Sequence, residues 1–295
     1  MSEMNKNRQE TGDKKVGVKG EETGIHPDAK ISDKAEIKEG CSIGPGAEIG
    51  PQVMLGQNCR IGPRAQLKGS IKMGKNNLVE TGTVIDAGDS VDGHLSADCE
   101  TEKKPGIIIG DDNIIREYSL LGSHQHPDLY RGKDDKSIVI GDNNFLMAYT
   151  VIKSGVRIDS RVKIANASCI QAGVEIESDV FVAGMVVAAE NVHIGEMAMV
   201  GGHSHLTADL PPYLLADGVP ARVKTMNAVA LRRNDVKRST FREIKEIFKT
   251  IFREEEELEK GLHKICEQEW ESSRAKQLIN FISGRDNICP GSSEE

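Results

Sequence analysis

Residues 43–62 read IGPGAEIGPQVMLGQNCRIG, and an aliphatic residue returns there at every sixth position. The same spacing runs through residues 25–85, reappears over 109–121 and continues over 140–206, with Ala188 as its weak point. Neither an α-helix, which repeats every ~3.6 residues, nor a simple strand, which repeats every ~2, has this period. A period of about six is typical of a β-solenoid built from hexapeptide rungs.

The positions between the aliphatic residues fit the same fold. The residue after each aliphatic residue is often Gly. The residue four places after the aliphatic residue is usually small, as Cys41, Ala47 and Cys59 are. Gly, Asn and Asp fill the intervening turns, because they tolerate the left-handed backbone of a tight corner. Three rungs would close one triangular coil, and each coil would bury its aliphatic residues against its neighbours. The sequence therefore predicts a mainly β fold, a left-handed parallel β-helix of hexapeptide repeats.

The breaks in the period predict the organisation of the chain. Residues 1–24 are polar and rich in Lys, Glu and Gly, which predicts a disordered tail. The β-helix is expected over residues 25–210, with loops leaving it near 86–106 and 122–137. Long loops in a compact domain are often functional, so these two are the first places to look for a site.

The last part of the chain has a different pattern. Pro211 and Pro212 predict the end of the strand ladder, because proline cannot donate a ladder hydrogen bond. Apolar residues then recur with helical spacing, which predicts a C-terminal α-helical domain over residues 211–295. Thr240 and Glu243 have the spacing of a capping box at the start of a helix.

Composition excludes several classes of function. The formal net charge is −8, which predicts no general affinity for nucleic acid or anionic membranes. The six cysteines form no Cys-x-x-Cys motif, and free buried thiols favour a reducing compartment. No apolar run is long enough to span a bilayer, and the first residues contain no apolar targeting segment. We expect a cytoplasmic protein without an integral membrane segment, a nucleic-acid partner or a cofactor.

Motifs in two parts of the chain resemble a known family. Residues 210–218 read LPPYLLADG, followed by Asn227 and by LRR at 231–233, and residues 109–117 read IGDDNIIRE. Together with the hexapeptide rungs, these motifs resemble the acyl-ACP–UDP-N-acetylglucosamine O-acyltransferase family, where ACP is acyl carrier protein. The resemblance covers nearly all of residues 25–295. It implies acyl transfer from ACP to a UDP-amino sugar in a lipid A-type pathway, by a homotrimer with active sites in the clefts between subunits.

The catalytic positions of the family are altered in this chain. By the resemblance, Ser154 stands where the family has its catalytic histidine, and Val151 replaces the histidine before it. Three further positions at which the family has site histidines are occupied by Gly122, Gly173 and Ala189. The scaffold motifs are therefore kept while the histidine cluster is not.

The resemblance also implies which residues bind the substrates. Ala172 occupies the position whose backbone N–H is expected to stabilise the oxyanion, and Asn227 and Arg233 match substrate-binding positions, while Asn234 stands where a second arginine is usual. Arg232 joins them as a candidate beside Arg233. Exposed cations in this region could dock an acidic carrier protein and a nucleotide phosphate, or could simply form a solvated helix face; they are Arg222, Lys224, Arg232, Arg233, Lys237 and Arg238.

Acyl transfer to a hydroxyl requires a base and a donor for the oxyanion. A serine hydroxyl is no base near neutral pH, so Ser154 needs a partner. His124 and His126 follow Leu121, which is expected to share one edge of the prism with Ile152, and we therefore predict His124, His126 and Ser154 as catalytic residues. The same histidine pair could instead be a solvated loop or, with nearby aspartates, a metal site; we predict no metal.

Three functional hypotheses follow. The first is an acyltransferase of the family type with a relocated base or with an altered acceptor, since an amine needs less help from a base than a hydroxyl. The second is a catalytically inactive trimeric relative that binds a nucleotide sugar, an acyl carrier or a protein partner. The third, a zinc carbonic anhydrase, needs histidines on the rungs of residues 140–188, and there are none.

Overall fold

The structure, a computed structural model, describes residues 24–88, 106–122, 137–254 and 258–292. In chain order, the strands are β1 (Lys30–Ile31), β2 (Glu36–Ile37), β3 (Ser42–Ile43), β4 (Glu48–Ile49), β5 (Val53–Leu55), β6 (Arg60–Ile61), β7 (Gln66–Lys68), β8 (Ile71–Met73), β9 (Leu78–Val79), β10 (Val84–Asp86), β11 (Ile107–Ile109), β12 (Ile114–Ile115), β13 (Leu120–Gly122), β14 (Ile138–Ile140), β15 (Phe145–Leu146), β16 (Val151–Ile152), β17 (Arg157–Ile158), β18 (Lys163–Ile164), β19 (Cys169–Ile170), β20 (Glu175–Ile176), β21 (Phe181–Val182), β22 (Val187–Ala188), β23 (His193–Ile194), β24 (Met199–Val200), β25 (His205–Leu206), β26 (Leu214–Gly218) and β27 (Ala221–Met226). The helices are α1 (Ala228–Arg233), α2 (Arg238–Lys249), which continues as a π-helical turn over Thr250–Glu254, α3 (Leu258–Cys266) and α4 (Ser273–Ser283).

The strands form the three faces of a left-handed parallel β-helix, as the hexapeptide period predicts. Sheet 1 contains β1, β4, β7, β10, β13, β16, β19, β22 and β25; sheet 2 contains β2, β5, β8, β11, β14, β17, β20 and β23; sheet 3 contains β3, β6, β9, β12, β15, β18, β21, β24, β26 and β27. Leu121 pairs with Ile152 and Ile152 pairs with Ile170, so the predicted register of these residues on one face is confirmed. We call the turns that lead from sheet 1 to sheet 2 corner 1–2.

Each short strand divides its residues between the core and the outer surface. In β16, β17 and β18 the second residue, Ile152, Ile158 or Ile164, is buried, and the first residue points outward. Burying such a side chain stabilises the fold by ~1.5–3 kcal/mol relative to leaving it exposed. Because every rung repeats this arrangement, the inward positions specify the prism and the outward positions remain free to vary.

The core also contains a ladder of buried asparagines. The backbone N–H and Nδ2 of Asn113 donate to Oδ1 of Asn77, both at 3.0 Å, and the backbone N–H of Asn144 donates to Oδ1 of Asn113 at 2.9 Å. Oδ1 of Asn144 in turn accepts the backbone N–H of Val162 at 2.8 Å. These bonds satisfy the buried side-chain amides of the ladder except Nδ2 of Asn144, which has no hydrogen-bond partner among the described residues.

Two predictions about the end of the β-helix are wrong. Pro212 precedes β26, but it lies in a turn where no ladder N–H is needed, so sheet 3 continues: β26 pairs in parallel with β24, and β27 returns antiparallel to β26. Thr240 and Glu243 do not form a capping box, because α2 begins at Arg238 and Glu243 Oε2 accepts the backbone N–H of Ser272 at 3.0 Å.

The helices and a final extended segment pack on the last coils. Gly284 is the C-cap of α4, and the segment after it forms β-bridges at Ile288 with Asp209 and at Gly291 with Val223. Asp209 donates its backbone N–H to the carbonyl of Asn287 and accepts the backbone N–H of Cys289, both at 2.8 Å. Trp270, between α3 and α4, is buried and donates Nε1–H to the carbonyl of Ile265 at 2.8 Å.

The remaining structural predictions fall largely outside the described residues. Residues 1–23 of the predicted tail are among them, as are 89–105 and 123–136 of the predicted loops. The division of the chain into a tail, a β-helix domain and a C-terminal helical domain stays a prediction. Among the helices of the described ranges, no helix is long and apolar enough to cross a membrane.

Candidate active site

Ser154 and Ala172 lie in neighbouring coils at corner 1–2. Ser154 follows β16, is half-buried and accepts the backbone N–H of Gly173 through its carbonyl at 3.1 Å. Ala172 is the equivalent residue of the next coil, and its carbonyl accepts the backbone N–H of Asn191 at 2.9 Å. The structure therefore brings together two of the residues that the sequence predicts for the site.

Two of the substituted histidine positions have a backbone that suits glycine. Gly173 has φ +69° and Gly122 has φ +108°, in the left-handed region that side-chain-bearing residues rarely adopt. A Cβ at Gly173 would collide with Oδ1 of Asn191, and one at Gly122 would collide with the carbonyl oxygen of Asp86. Glycine therefore suits both positions, although a histidine can adopt the same backbone in this fold, as His203 does with φ +60°.

The outer face of sheet 1 is apolar beside this corner. Leu120, Val151, Cys169 and Val187 are paired in register along consecutive strands, and His205 follows on β25. Three strand spacings separate His205 from Val151, which is roughly 14 Å. His205 is thus too far from Ser154 to act as its partner within one subunit.

The sequence analysis did not identify Cys169, which is the titratable residue in the column of Leu120, Val151, Cys169 and Val187. Gln171 Nε2 donates to its Sγ at 3.4 Å. Burial raises the pKa of the Cys169 thiol, and the charge of Lys153 opposes that rise only in part. A thiol held neutral in this way is a poor base. Its outward rung position, directly before the buried Ile170, is the signal that could have identified it.

His124 and His126 lie outside the described residues. The stretches 89–105 and 123–136 each connect a strand of sheet 1 to a strand of sheet 2, so both interrupt the chain at corner 1–2. Leu121, two residues before 123, pairs with Ile152, two residues before Ser154. The two histidines therefore stay predictions.

Asn227 has a structural role that its sequence position does not reveal. It is the N-cap of α1: Oδ1 accepts the backbone N–H of Ala230 at 3.1 Å, and Nδ2 donates to the carbonyl of Met197 at 2.8 Å. Met197 lies in a turn from sheet 2 to sheet 3, so Asn227 is at a different corner from Ser154. Both polar groups of the side chain are already used within the fold.

Arg232 and Arg233 occupy the last turn of α1 and are exposed. Within the described ranges, neither guanidinium has an ion-pair partner. Both remain available for an anionic ligand, although the fold of the chain does not place them at corner 1–2. Across those same ranges, no group of three or more His, Cys, Asp or Glu residues is arranged to hold a metal ion.

A second polar cluster surrounds His193 on sheet 2, and sequence reasoning missed it entirely. His193 contacts Glu177 in the neighbouring coil and Arg285 beyond α4. The two partners lie 16 and 92 residues away in the chain, so no local motif could reveal the cluster.

Comparisons with known proteins agree with this architecture. Residues 209–289 match a family model described as UDP-N-acetylglucosamine O-acyltransferase, domain 2. A relative from Synechocystis sp., named acyl-[acyl-carrier-protein]–UDP-N-acetylglucosamine O-acyltransferase, is 30% identical over 159 residues, which cover 54% of this chain and 55% of the relative. A relative of the same name from Nautilia profundicola is 32% identical over 182 residues, covering 61% of this chain and 67% of that protein.

Solved structures extend the similarity along the chain. The UDP-N-acetylglucosamine acyltransferase from Campylobacter jejuni superposes with a TM-score of 0.77 at 26% identity, and the match covers 92% of this chain and 100% of that one. By sequence, the chain spans only 55% of the length of the Synechocystis relative and about two thirds of the Nautilia one.

Proposed function

The chain belongs to the acyl-[acyl-carrier-protein]–UDP-N-acetylglucosamine O-acyltransferase family, and from that premise we propose that it transfers an acyl group from ACP to a UDP-amino sugar at an atypical active site. The observation that carries the proposal is the convergence on corner 1–2. Ser154, Ala172 and the connection that contains His124 and His126 all belong to this corner. The pathway would be of the lipid A type.

The chain length near corner 1–2 supports a histidine partner for Ser154. His124 follows Gly122 by two residues, so their Cα atoms are at most about 7 Å apart. Gly122 in turn follows Leu121, which is paired with Ile152 on the strand that leads to Ser154. A histidine ring at this distance can reach the Ser154 hydroxyl directly or through one water molecule.

The proposed reaction divides between a base and an oxyanion donor. His124 or His126 accepts the proton of the acceptor hydroxyl or amine, directly or through Ser154, as its oxygen or nitrogen bonds to the acyl carbon. The Ala172 amide stabilises the oxyanion, and it forms no hydrogen bond within the described residues. The carbon–sulfur bond then breaks, and the protonated histidine returns its proton to the leaving thiolate.

A homotrimer would bring the remaining residues to the site. Arg232 and Arg233 lie away from corner 1–2 of their own protomer, so a neighbouring subunit would have to present them to the diphosphate of the UDP-sugar. An exposed apolar strip supports such an assembly: Tyr118 and Tyr149 stack with ring centroids 5.6 Å apart, and Met185 is 58% exposed on the same column of turns. A contiguous apolar surface of this kind would suit the contact between subunits.

The partner ACP would dock through exposed cations of the C-terminal part. Lys224, Arg232, Arg233 and Arg238 are all exposed in the structure. Their charge suits an acidic carrier protein and would speed its approach at low ionic strength. Arg222 is also exposed, although it donates to the carbonyl of Gly291 at 3.4 Å.

One observation favours the catalytically inactive alternative. The outer face of sheet 1 beside Ser154 presents Leu120, Val151 and Val187, together with a thiol whose pKa is raised. No base is present on that stretch of the described face. Such a protein would bind the nucleotide sugar, the acyl carrier or a protein partner in the same cleft without turning it over.

Turnover with ACP thioesters and UDP-sugars separates the two functions. We expect the wild type to form product and the double variant His124→Ala/His126→Ala to lose at least ~10²-fold in rate. His263→Ala is the matched control, because His263 is exposed on α3 and outside the proposed site. Measurable UDP-sugar binding without turnover by the wild type would instead support the inactive relative, and Ser154→His would then test whether the family histidine restores activity.

A further inference from the structure

His193 lies at the junction between sheet 2 and the end of α4. It is the outward residue of β23, yet its side chain is only 17% exposed. Phe281 meets the ring edge-on, with centroids 5.1 Å apart, and the guanidinium of Arg285 lies 3.9 Å above the ring of Phe281. An outward rung residue is therefore enclosed by the C-terminal part of the chain.

The two partners of the His193 ring determine which of its nitrogens donates and which accepts. Glu177 Oε1 lies 2.7 Å from Nε2, and Arg285 Nη2 lies 2.7 Å from Nδ1. A guanidinium has only donors, so Nδ1 must offer a lone pair, and Nε2 carries the hydrogen that Glu177 accepts. A proton on Nδ1 as well would place two N–H groups and two cations against each other.

The charged groups around the ring provide an alternative arrangement. Glu175 Oε2 is 3.4 Å from Nδ1, while Asp159 in the preceding coil of sheet 2 has its pKa raised by burial and by the charge of Glu177. From the last coil, Asp209 Oδ2 pairs with Arg285 Nε at 3.1 Å. The carboxylates near His193 come from sheet 2 and from Asp209, and α4 contributes none. The nearby cations are Arg285, Lys276 of α4, which lines the same cavity as Glu177 and Arg285, and Arg157, which is in register with Glu175 on sheet 2. Glu175 Oε2, at 3.4 Å, is close enough to accept a hydrogen bond from a protonated Nδ1 once Arg285 moves away.

Arg285 is the first residue of the segment that closes the end of the solenoid. After it, Asn287 and Cys289 are hydrogen-bonded to both backbone groups of Asp209. The carbonyl of Pro290 accepts the backbone N–H of Val223 at 2.8 Å, so the segment also continues sheet 3 at β27. A contact that holds Arg285 therefore helps to hold residues 285–292 over strands that would otherwise end in unpaired groups.

We propose that His193 and Arg285 form a proton-operated latch for residues 285–292. When His193 takes up a second proton, Glu175 replaces Arg285 at Nδ1, and the released segment opens from the last coil more often. Histidine is suited to this role because it is the side chain that changes charge between about pH 5 and 8. The latch concerns the end of the solenoid and is independent of the reaction proposed for corner 1–2.

Amide hydrogen exchange of residues 285–292 at pH 7.5 and 5.5, corrected for the intrinsic rate, tests the latch. We expect the opening of this segment in the wild type to increase by roughly tenfold at the lower pH, with the Cys289 amide as the main reporter. His193→Gln keeps one donor and one acceptor but takes up no proton in this range, so its opening should not change with pH. His263→Ala, on the exposed surface of α3, should keep the response of the wild type.

Two results would overturn the proposal. One is a His193→Gln variant whose segment opens with pH as much as the wild type. The other is a titration of the wild type followed by NMR, in which the His193 ring gains its proton while the amides of Asp209 and Cys289 do not shift with the same midpoint. The second measurement needs no substitution, so it decides the matter even if the variant fails to fold.

Discussion

In the coils around Ile170, sheets 1 and 2 bury the same type of residue and differ in the residue that points outward. Ile170 on sheet 1 and Ile176 on sheet 2 are both buried in the core. Directly before them, Cys169 continues the apolar column of sheet 1, whereas Glu175 belongs to the charged cluster around His193 on sheet 2. Two faces built by one repeat therefore carry different surfaces, because the rung constrains only the residue that enters the core. The outward residues of each sheet therefore depend on what packs against that face.

The largest expected effect on stability comes from truncating the buried isoleucines that sheets 1 and 2 have in common. Ile170→Ala and Ile176→Ala should each lower the free energy of unfolding by ~2–5 kcal/mol, because each leaves a cavity in a packed coil. Urea denaturation followed by circular dichroism measures both. Val187→Ala, at an outward position of sheet 1, is the control and should cost much less. A large difference between the two isoleucine variants would show that the inward columns are not equivalent.

The next effect should be confined to the side of the molecule that contains sheet 1. Tyr149 and Met185 have φ +61° and +59°, so Asn is a suitable replacement because it tolerates this backbone. Tyr149→Asn/Met185→Asn should shift the proposed trimer towards monomer, since central aromatic anchors are worth ~2 kcal/mol or more in an interface. Light scattering after gel filtration measures the mass. Met54→Asn removes an exposed apolar side chain from sheet 2 and should leave the mass unchanged.

A smaller effect is expected at the corner that joins the two sheets. Gly173→His places a family histidine on a left-handed backbone beside Asn191, and it should cost about 1–3 kcal/mol of stability without adding activity. The backbone φ of Ser154 is not positive, so the Ser154→His variant should fold with little loss of stability. Thermal unfolding compares the two variants. Equal melting temperatures would contradict the strain assigned to residue 173.

The smallest effect concerns acid pH. Burial opposes the ionisation of Glu177, but hydrogen bonds from His193 and from the Glu196 amide more than compensate, so the pKa of Glu177 lies below its usual value. A carboxyl group with a lowered pKa stabilises the fold above its unfolded pKa of about 4.5, and that contribution is lost as the pH falls through the folded value. Glu177→Gln should therefore flatten the loss of stability between pH 5 and about 3.

A residue of sheet 1 provides the control for that experiment. The pKa of Glu48 is also lowered, by its hydrogen bond and charge interaction with Lys30, but the pair is exposed to solvent and screened. Glu48→Gln should leave the acid unfolding curve as it is in the wild type. Urea midpoints measured at several pH values compare the two variants, and a similar flattening in both would show that burial beside His193 is not the cause.

The inward period predicted most of the fold, because a buried residue at every sixth position leaves few alternatives. It placed Leu121, Ile152 and Ile170 on one face, and the register confirms this. It failed after Pro212, where the chain continues sheet 3 without needing the missing ladder N–H. A proline ends a ladder only if its backbone nitrogen would have to donate a ladder hydrogen bond. The place of the proline in the sequence does not reveal whether this is so.

The candidate site was less accessible to sequence reasoning. The position of Ser154 follows from the rung pattern, and its neighbour Ala172 follows from the spacing of one coil. The role of Asn227 as an N-cap and the enclosure of His193 by Arg285 depend on how the C-terminal helices pack on the last coils. Contacts between residues so far apart in the chain produce no periodic pattern in the sequence, so they could not be predicted from it.

Trp270 makes the two parts of the molecule separately observable. It is the only tryptophan in the chain, and its indole is enclosed between α3 and α4 with its N–H bonded to Ile265. Its fluorescence therefore reports on the helices, while hydrogen exchange of the strand amides reports on the solenoid. A single sample, heated or acidified once, would show whether the helices detach before the coils unwind.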